Sequence, residues 1–258
     1  MMSPEGVDPK LWRRLRNGAG RAIGDFSLVS DGDRICVGVS GGKDSLIMLL
    51  LLAELQRRAP VRYELIPVAI DNGLAGFDAC IIRRFVEKLG LELIVEETGH
   101  AELINSKLRH GSSYCSFCAR LKRGALYGVA RRLGCNLLAL GHHRDDFIET
   151  LLMNQFFVGT IKAMAAKTVC DDGDITVIRP LVYLSEKDII SVAEQAGVTT
   201  FATKCPIADK EQSRFRIKQL LSDLEREIPQ IRNSLLASLR NVQPRHLLDP
   251  NTIRKSEI

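Results

Sequence analysis

Apolar runs along this chain occupy residues 34–39, 63–71, 91–96, 136–140 and 175–179. Short runs of this kind, bounded by glycine, proline and polar residues, predict buried strands. Longer mixed segments over 44–58, 77–89, 117–133, 145–157, 185–195 and 211–224 predict helices. Gly90, Gly134 and Gly197 sit where three of these helices should stop. Ser185, followed by Glu186 and Asp188, marks a helix start by capping. Residues 9–24 predict a basic helix, with Pro9 near its start and Gly18, Gly20 and Gly24 weakening its end. Strand and helix alternate from residue 34 onward, which predicts an α/β chain: a parallel sheet of about five strands with helices on both faces. Ligands of such sheets bind beyond the carboxyl ends of strands, near a switch in strand order. Three loop clusters fall there, at 40–45, 71–77 and 141–146.

The alternation ends near residue 199. A loop with Cys205-Pro206 follows, then a helix or two and a tail over 241–258. The expected organisation is a helical segment over 1–30, an α/β domain over 31–198 that carries the three loop clusters, and a helical extension over 199–258 that carries Cys205. The apolar run 46–52 is far too short to span a bilayer. No basic-then-apolar leader opens the chain. The reading therefore expects a cytoplasmic protein without a membrane partner. At 258 residues, 45% hydrophobic and 26% charged, the composition is ordinary for a globular protein. The net charge of +5 is gathered in clusters: Arg13, Arg14, Arg16 and Arg21; Arg57 and Arg58; Arg83 and Arg84; Arg120, Lys122 and Arg123; Arg131 and Arg132. Such clusters suit a polyanion, or else form solvated helix faces.

The first loop reads Ser40-Gly41-Gly42-Lys43-Asp44-Ser45 between a strand and a helix. Two glycines allow a sharp turn that aims consecutive N–H groups at one point, and the helix dipole adds positive charge there. Lys43 adds a full charge, and Ser40 and Ser45 add hydroxyl donors. The spacing is not the Walker form, which needs four residues between its first glycine and Gly-Lys-Ser/Thr. It resembles the PP-loop, the pyrophosphate-binding signature of ATP pyrophosphatases that adenylate their substrates.

Seven cysteines in a chain of this length do not suggest a disulfide framework. Cys36 lies in an apolar strand and is expected in the core; Cys80, Cys135 and Cys170 are isolated and expected to be structural. Cys115 and Cys118 share one side of a helical turn, where Arg120, Lys122 and Arg123 would favour thiolates. Three readings compete: a redox dithiol, half of a zinc site, or half of an iron–sulfur site. A zinc site wants a second close pair, which the chain lacks. A redox dithiol would occupy the first βα turn, which here is the phosphate loop. Cys205, in an irregular proline-flanked loop, is the best third ligand. Three thiolates could hold a [4Fe–4S] cluster with one open iron, although four are more usual.

Gly141-His142-His143-Arg144-Asp145-Asp146 follows the fourth strand. It reads as a capped helix start, and equally as a site. Paired carboxylates beside an ATP site suit Mg²⁺; the histidines would bond ribose or phosphate, or simply pack. Lys122, four residues past Cys118, shares its helix face. It would meet a phosphate or the reacting base, or stand as a solvated cation. Asp71-Asn72-Gly73 is a turn by composition.

The stretch from Cys115 to Gly124, the Leu140–Asp146 loop, Arg179-Pro180-Leu181, Glu186-Lys187-Asp188-Ile189 and the 241–247 segment together resemble the TtcA family of tRNA 2-thiocytidine synthetases, relatives of the TtuA 2-thiouridine enzymes. The resemblance runs from the PP-loop to about His246. One departure stands: the family carries Cys-x-x-Cys at the third-ligand loop, whereas this chain has only Cys205. The resemblance implies a PP-loop, adenine-nucleotide-hydrolase-like fold and an ATP-dependent tRNA sulfurtransferase. Cytidine 32 of the anticodon loop would be adenylated at O2, with pyrophosphate released. That oxygen would then be replaced by sulfur delivered through a [4Fe–4S] cluster, with AMP released and 2-thiocytidine formed. Asp44, Lys122, Asp145 and Asp146 are then the catalytic candidates. Val39, Ser40, Gly41, Gly42, Lys43, Asp44, Ser45, Ile70, Asp71, Gly141, His142 and Asp146 would bind ATP with Mg²⁺. Cys115, Cys118 and Cys205 would hold the cluster. A cysteine desulfurase of the IscS kind would supply sulfur, and a homodimer is one assembly the reading leaves open. Two other readings share parts of the pattern. A cluster-free adenylating enzyme like lysidine synthetase leaves Cys115 and Cys118 unexplained. A non-catalytic, metal-containing RNA-binding module would leave the aspartates inert.

Overall fold

The computed structural model describes residues 4–73, 76–100, 114–200 and 212–248, with side chains from 118 in the third stretch and from 213 in the fourth. Helix α1 spans Pro9–Asp25 and is capped by the Asp8 carboxylate, which accepts from the Lys10 and Leu11 N–H groups. It runs through Gly18, Gly20 and Gly24 instead of fraying at them. Leu11, Trp12, Leu15, Ala19 and Ala22 are buried on one stripe, and that burial outweighs a glycine cost of about 1 kcal/mol each. Gly18 also admits Leu184, whose Cδ2 lies 2.5 Å from where a Cβ would stand.

Among the described residues six strands form one sheet. They are β1 (Asp33–Gly38), β2 (Tyr63–Asp71), β3 (Ile94–Glu97), β4 (Leu137–Ala139), β5 (Lys167–Val169) and β6 (Thr176–Ile178). The order is β3-β2-β1-β4-β6-β5, parallel throughout except for the antiparallel β5–β6 pair. The expected parallel sheet is present, and the edge strand β5 is added to it. Its three residues are all exposed, so no apolar run announced it. Ile35 pairs with Leu137 and Val37 with Ala139, placing β1 and β4 side by side although β2 and β3 intervene in sequence. The order therefore switches between β1 and β4, which opens a crevice at their carboxyl ends.

Helix α2 (Lys43–Gln56) follows β1 and is buried almost all round, with Leu46, Ile47, Met48, Leu49 and Leu52 fully enclosed. Helix α3 (Ala79–Glu87) follows β2, and α4 (Tyr114–Arg132) precedes β4. Leu126, Val129 and Ala130 of α4 meet Cys36, Leu138 and Val177 of three adjacent strands. The other α-helices among the described residues are α5 (Arg144–Phe157), α6 (Glu186–Gln195), α7 (Gln212–Glu227) and α8 (Ile231–Ser238).

Two compact units interleave along the chain: 1–144 with 165–210, and 145–164 with 211–258. The first holds the sheet with α1–α4 and α6. The second holds α7, α8 and all of α5 beyond its first residue. Its core is Ile148 and Leu152 of α5 against Ile217 and Leu221 of α7, with Leu235 and Leu236 of α8 beside them. The spacings of four residues put each pair on one helix face.

Cys36 and Cys135 are buried, and burial pushes both thiols up, Cys36 with a contribution from Cys135. Cys170 is half-buried, with its sulfur 3.1 Å from Asp174 Oδ1. Cys80 was expected to be structural, but it is exposed on the first turn of α3 and supports no core.

Candidate functional site

The turn after β1 is a preformed nest. Gly41 takes φ +80°, the left-handed region that glycine enters without strain. Gly42 caps α2 with no side-chain bond to the helix, so the N–H groups of the first turn point out of the loop. The two serines brace it. Ser45 Oγ donates to the Gly42 carbonyl at 2.9 Å and accepts from the Ser40 N–H at 3.1 Å. Ser40 Oγ lies 3.2 Å from Ser45 Oγ. The result is a rigid anion cradle at a helix N-terminus.

Lys43 is held at its edge. Its Nζ donates to Asp44 Oδ2 and to Glu186 Oε1, each at 3.2 Å. Burial alone would lower the Lys43 pKa, but the two carboxylates reverse this and leave it raised. The lysine therefore stays a cation. Glu186 lies 143 residues away on the first turn of α6, where the Ser185 hydroxyl accepts from the Asp188 N–H. The other Asp44 oxygen, Oδ1, is buried without a hydrogen bond and lies 3.7 Å from His143 Nε2.

The loop after β4 is packed directly on this turn. A Cβ on Gly141 would lie 3.1 Å from the Asp44 carbonyl carbon and from the Ser45 nitrogen. A side chain there would require the facing backbone to give by a few tenths of an ångström. His143, with 4% of its surface exposed, sits beneath the loop and reaches Asp44 and Glu186. His142 Nδ1 is 3.3 Å from Arg179 Nε, and Arg179 Nη1 donates to the Ala165 carbonyl at 2.6 Å. Arg179 is buried at the end of β6. Burial first, and Arg123 second, lower its pKa.

Val39 directly follows β1 and Ile70 lies at the end of β2, and the Val39 N–H donates to the Val68 carbonyl across the two strands. Asp71 Oδ1 accepts from the Gly73 N–H at 2.8 Å, which makes the expected turn. Asn72 is buried, and its Oδ1 lies 3.1 Å from His100 Nδ1. The His100 pKa is lowered by burial and then by Lys122, so Lys122 stands near this edge. Lys122 is half-buried on α4.

In the second unit, Asp145 and Asp146 open α5 but are not a bare pair. Arg232 of α8 donates to Asp145 Oδ1 at 2.8 Å and to Glu225 at 2.9 Å. Arg214 of α7 donates to Asp146 Oδ1 at 2.8 Å and to Glu149 Oε2 at 2.7 Å. Glu149 is 2% exposed. Burial pushes its carboxyl up, and Arg214 and Lys218 offset only part of that. Arg214→Met strands this buried charge and is expected to cost about 3 kcal/mol, measured by urea unfolding at pH 7. The sign of the pH dependence follows. The folded-state pKa is raised, so the penalty is absent below the ordinary carboxylate range and grows as pH rises through it. The variant should recover part of its stability toward pH 4, and Glu149→Gln should suppress the recovery.

Cys118 lies half-buried on the first turns of α4, one turn after Cys115, and is not in a disulfide. The Cys115 side chain and Cys205 lie outside the described residues. The sequence reading missed Glu186, Arg179 and His100 as site residues. Only Glu186 carried a local signal, as the first acid after a helix cap. A cavity of about 730 Å³ lined by Leu50, Ile81, Phe85 and Val198 lies apart from all of these groups.

A PP-loop domain family model matches residues 15–224. The tRNA-cytidine(32) 2-sulfurtransferase of Pelobacter propionicus is 57% identical over 240 residues, 93% of this chain and 89% of that protein. The enzyme of the same name from Geobacter metallireducens is 52% identical over 98% of this chain and 99% of its own length. Among solved structures, the U34-tRNA thiolase NcsA from Methanococcus maripaludis with its [4Fe–4S] cluster has a TM-score of 0.75 at 24% identity, covering 90% of this chain and 80% of that one. It shares the fold.

Proposed function

This chain belongs to the tRNA-cytidine(32) 2-sulfurtransferase family of PP-loop proteins, and we propose from that premise how its own residues carry out ATP-dependent thiolation of tRNA. The supporting observation is the backbone contact between Gly141 and the Asp44–Ser45 turn at the sheet's switch point. It makes one rigid crevice of two loops that the sequence keeps far apart.

The N–H groups of Gly41 and of the first helical turn, residues 43–45, hold the β and γ phosphates of ATP, and Lys43 neutralises charge as pyrophosphate departs. Cytidine O2 attacks the α-phosphorus, and the bond between that phosphorus and the bridging oxygen breaks. Pyrophosphate leaves, and C2 then carries an adenylated oxygen. Attack at C2 by a sulfur nucleophile breaks the C2–O bond and expels AMP. Arg179 and Lys122, each at the rim of the crevice, steady the α-phosphate and the charge developing on the base. Val39, Ile70 and Asp71 line the nucleoside side, with Gly141 and His142 across from them. Asp145 and Asp146 come to their substrate as ion pairs with Arg232 and Arg214, which points to positioning.

The orphaned Asp44 Oδ1 beside the phosphate nest fits a hard cation, so Asp44 would hold Mg²⁺ against the pyrophosphate oxygens. That ion would offset the leaving charge. Cys118 fits a soft ligand set: a half-buried thiol not tied in a disulfide, one helical turn from a second cysteine. Cys115, Cys118 and Cys205 would hold a [4Fe–4S] cluster, which would supply a protected, reactive sulfur. A cysteine desulfurase is the proposed source of that sulfur. No described helix is long and apolar enough to cross a membrane.

Mass spectrometry of tRNA nucleosides from a strain lacking the protein tests the reading. Loss of 2-thiocytidine, restored by the intact gene, is the expected result. An unchanged level defeats the substrate assignment.

A further inference from the structure

The second unit exposes apolar surface where a helix end is ordinarily polar. Phe156 and Phe157 close α5, each 56% exposed, and Val158 and Ile161 beyond them are 65% and 64% exposed. Phe215 of α7 is 62% exposed. A cavity of about 390 Å³ opens here, walled by Phe157, Asn154 and Thr150 from α5 and by Ser213 and Arg214 from α7. Its volume is at the small end for ligand sites.

The polar groups around it are held in place. Asn154 Nδ2 donates to the Lys162 carbonyl at 2.8 Å, and the Asn154 backbone carbonyl accepts from the Val158 and Thr160 N–H groups, both at 3.1 Å. Arg214 is oriented by Glu149 and Asp146. The exposed charge is of one sign. Residues 150–164 and 212–222 contain Lys162, Arg214, Arg216 and Lys218 and no aspartate or glutamate. Lys162, Arg216 and Lys218 are exposed.

An apolar patch alone would suit a protein partner. This one combines exposed aromatic rings, a small cavity with amide, hydroxyl and guanidinium groups, and a purely cationic border. A nucleobase matches all three, since it has flat apolar faces, a hydrogen-bonding edge and an attached phosphate. We propose that the cavity between α5 and α7 binds an unpaired base of the RNA substrate other than the reacting cytidine, stacked on Phe157, with its backbone phosphates on Lys162, Arg216 and Lys218. The proposal rests on the reading that the chain acts on tRNA.

Stacking of one base predicts that Phe157→Ala weakens binding of tRNA, or of its anticodon stem–loop, by about tenfold at fixed salt. Phe157→Leu should weaken it comparably, because apolar area remains but the ring is gone. Phe157→Trp should bind like the wild type, and its emission should be quenched by the stem–loop. The chain's single tryptophan, Trp12, is buried in the first unit, so a change in emission can be assigned. Phe157 is exposed, so its replacement removes little core packing, and the tryptophan variant checks that the chain still folds. Wild-type affinity in Phe157→Leu, or unquenched emission from a Phe157→Trp chain saturated with RNA, would overturn the base site and assign the patch to a protein partner. A wild-type chain that binds no tRNA at all would overturn the functional reading itself, and this site with it.

Discussion

Changing Cys118 to serine should abolish 2-thiocytidine formation while pyrophosphate release with ATP and tRNA continues. The two half-reactions separate because their residues do. Activation draws on the nest at residues 40–45, whose bracing is internal: Ser40 to Ser45, and Ser45 to Gly42. Nothing in that bracing involves α4. Sulfur delivery is proposed to draw on Cys118 and Cys115, one turn apart at the start of α4. A serine hydroxyl is a poor ligand for iron, so the variant should lose iron as well as thiolation, by at least about 100-fold in activity. Cys115→Ser and Cys205→Ser belong to the same class. Cys80→Ser is the control, since that thiol is exposed on α3 and takes no part in the site. The measurements are iron content, pyrophosphate release and nucleoside analysis on anaerobically purified protein. Full thiolation by Cys118→Ser would remove the cluster from the proposal. Loss of pyrophosphate release together with thiolation would mean that the halves are not separable.

Gly141→Val should remove ATP binding, raising the Kd by about 100-fold or more. The cause is space and not backbone freedom, because Gly141 does not have a positive φ while Gly41 does. A β-carbon 3.1 Å from the Asp44 carbonyl carbon and the Ser45 nitrogen must push backbone away from backbone. Neither side can rotate clear, since one is the first turn of a helix buried on nearly every side. Relief comes by displacing the nest, which would misaim the N–H groups proposed to hold the phosphates. A methyl meets the same contacts with less bulk, so Gly141→Ala should fall between the wild type and valine. Calorimetric titration with ATP measures the effect, and a melting curve checks that the sheet survives. An affinity within threefold of the wild type in Gly141→Val would show that the two loops can part without loss.

The helices and central strands were legible to within a few residues, because apolar spacing and caps act over short distances. Ser185 caps α6 as expected, and the α5 and α2 patterns form where the sequence put them. The failures share one cause. The edge strand β5 buries nothing, so it leaves no apolar trace. Helix α1 continues through three glycines because its buried stripe outweighs their propensity. Asp145 and Asp146 read as a free carboxylate pair because their partners, Arg232 and Arg214, lie 87 and 68 residues away.

What the sequence determined by itself is the local chemistry: a glycine turn at a helix N-terminus, two cysteines one helical turn apart, and a polar loop after a strand. Each is decided by residues close along the chain, whose geometry the backbone fixes. The tertiary structure alone decided which of these meet. It set Glu186 against Lys43, Gly141 against Ser45 and Arg179 against His142. Those contacts come from strand order, which places β1 beside β4 and β4 beside β6. Side-chain spacing has no reach across such distances, so a pattern can announce a nest but cannot say what closes it.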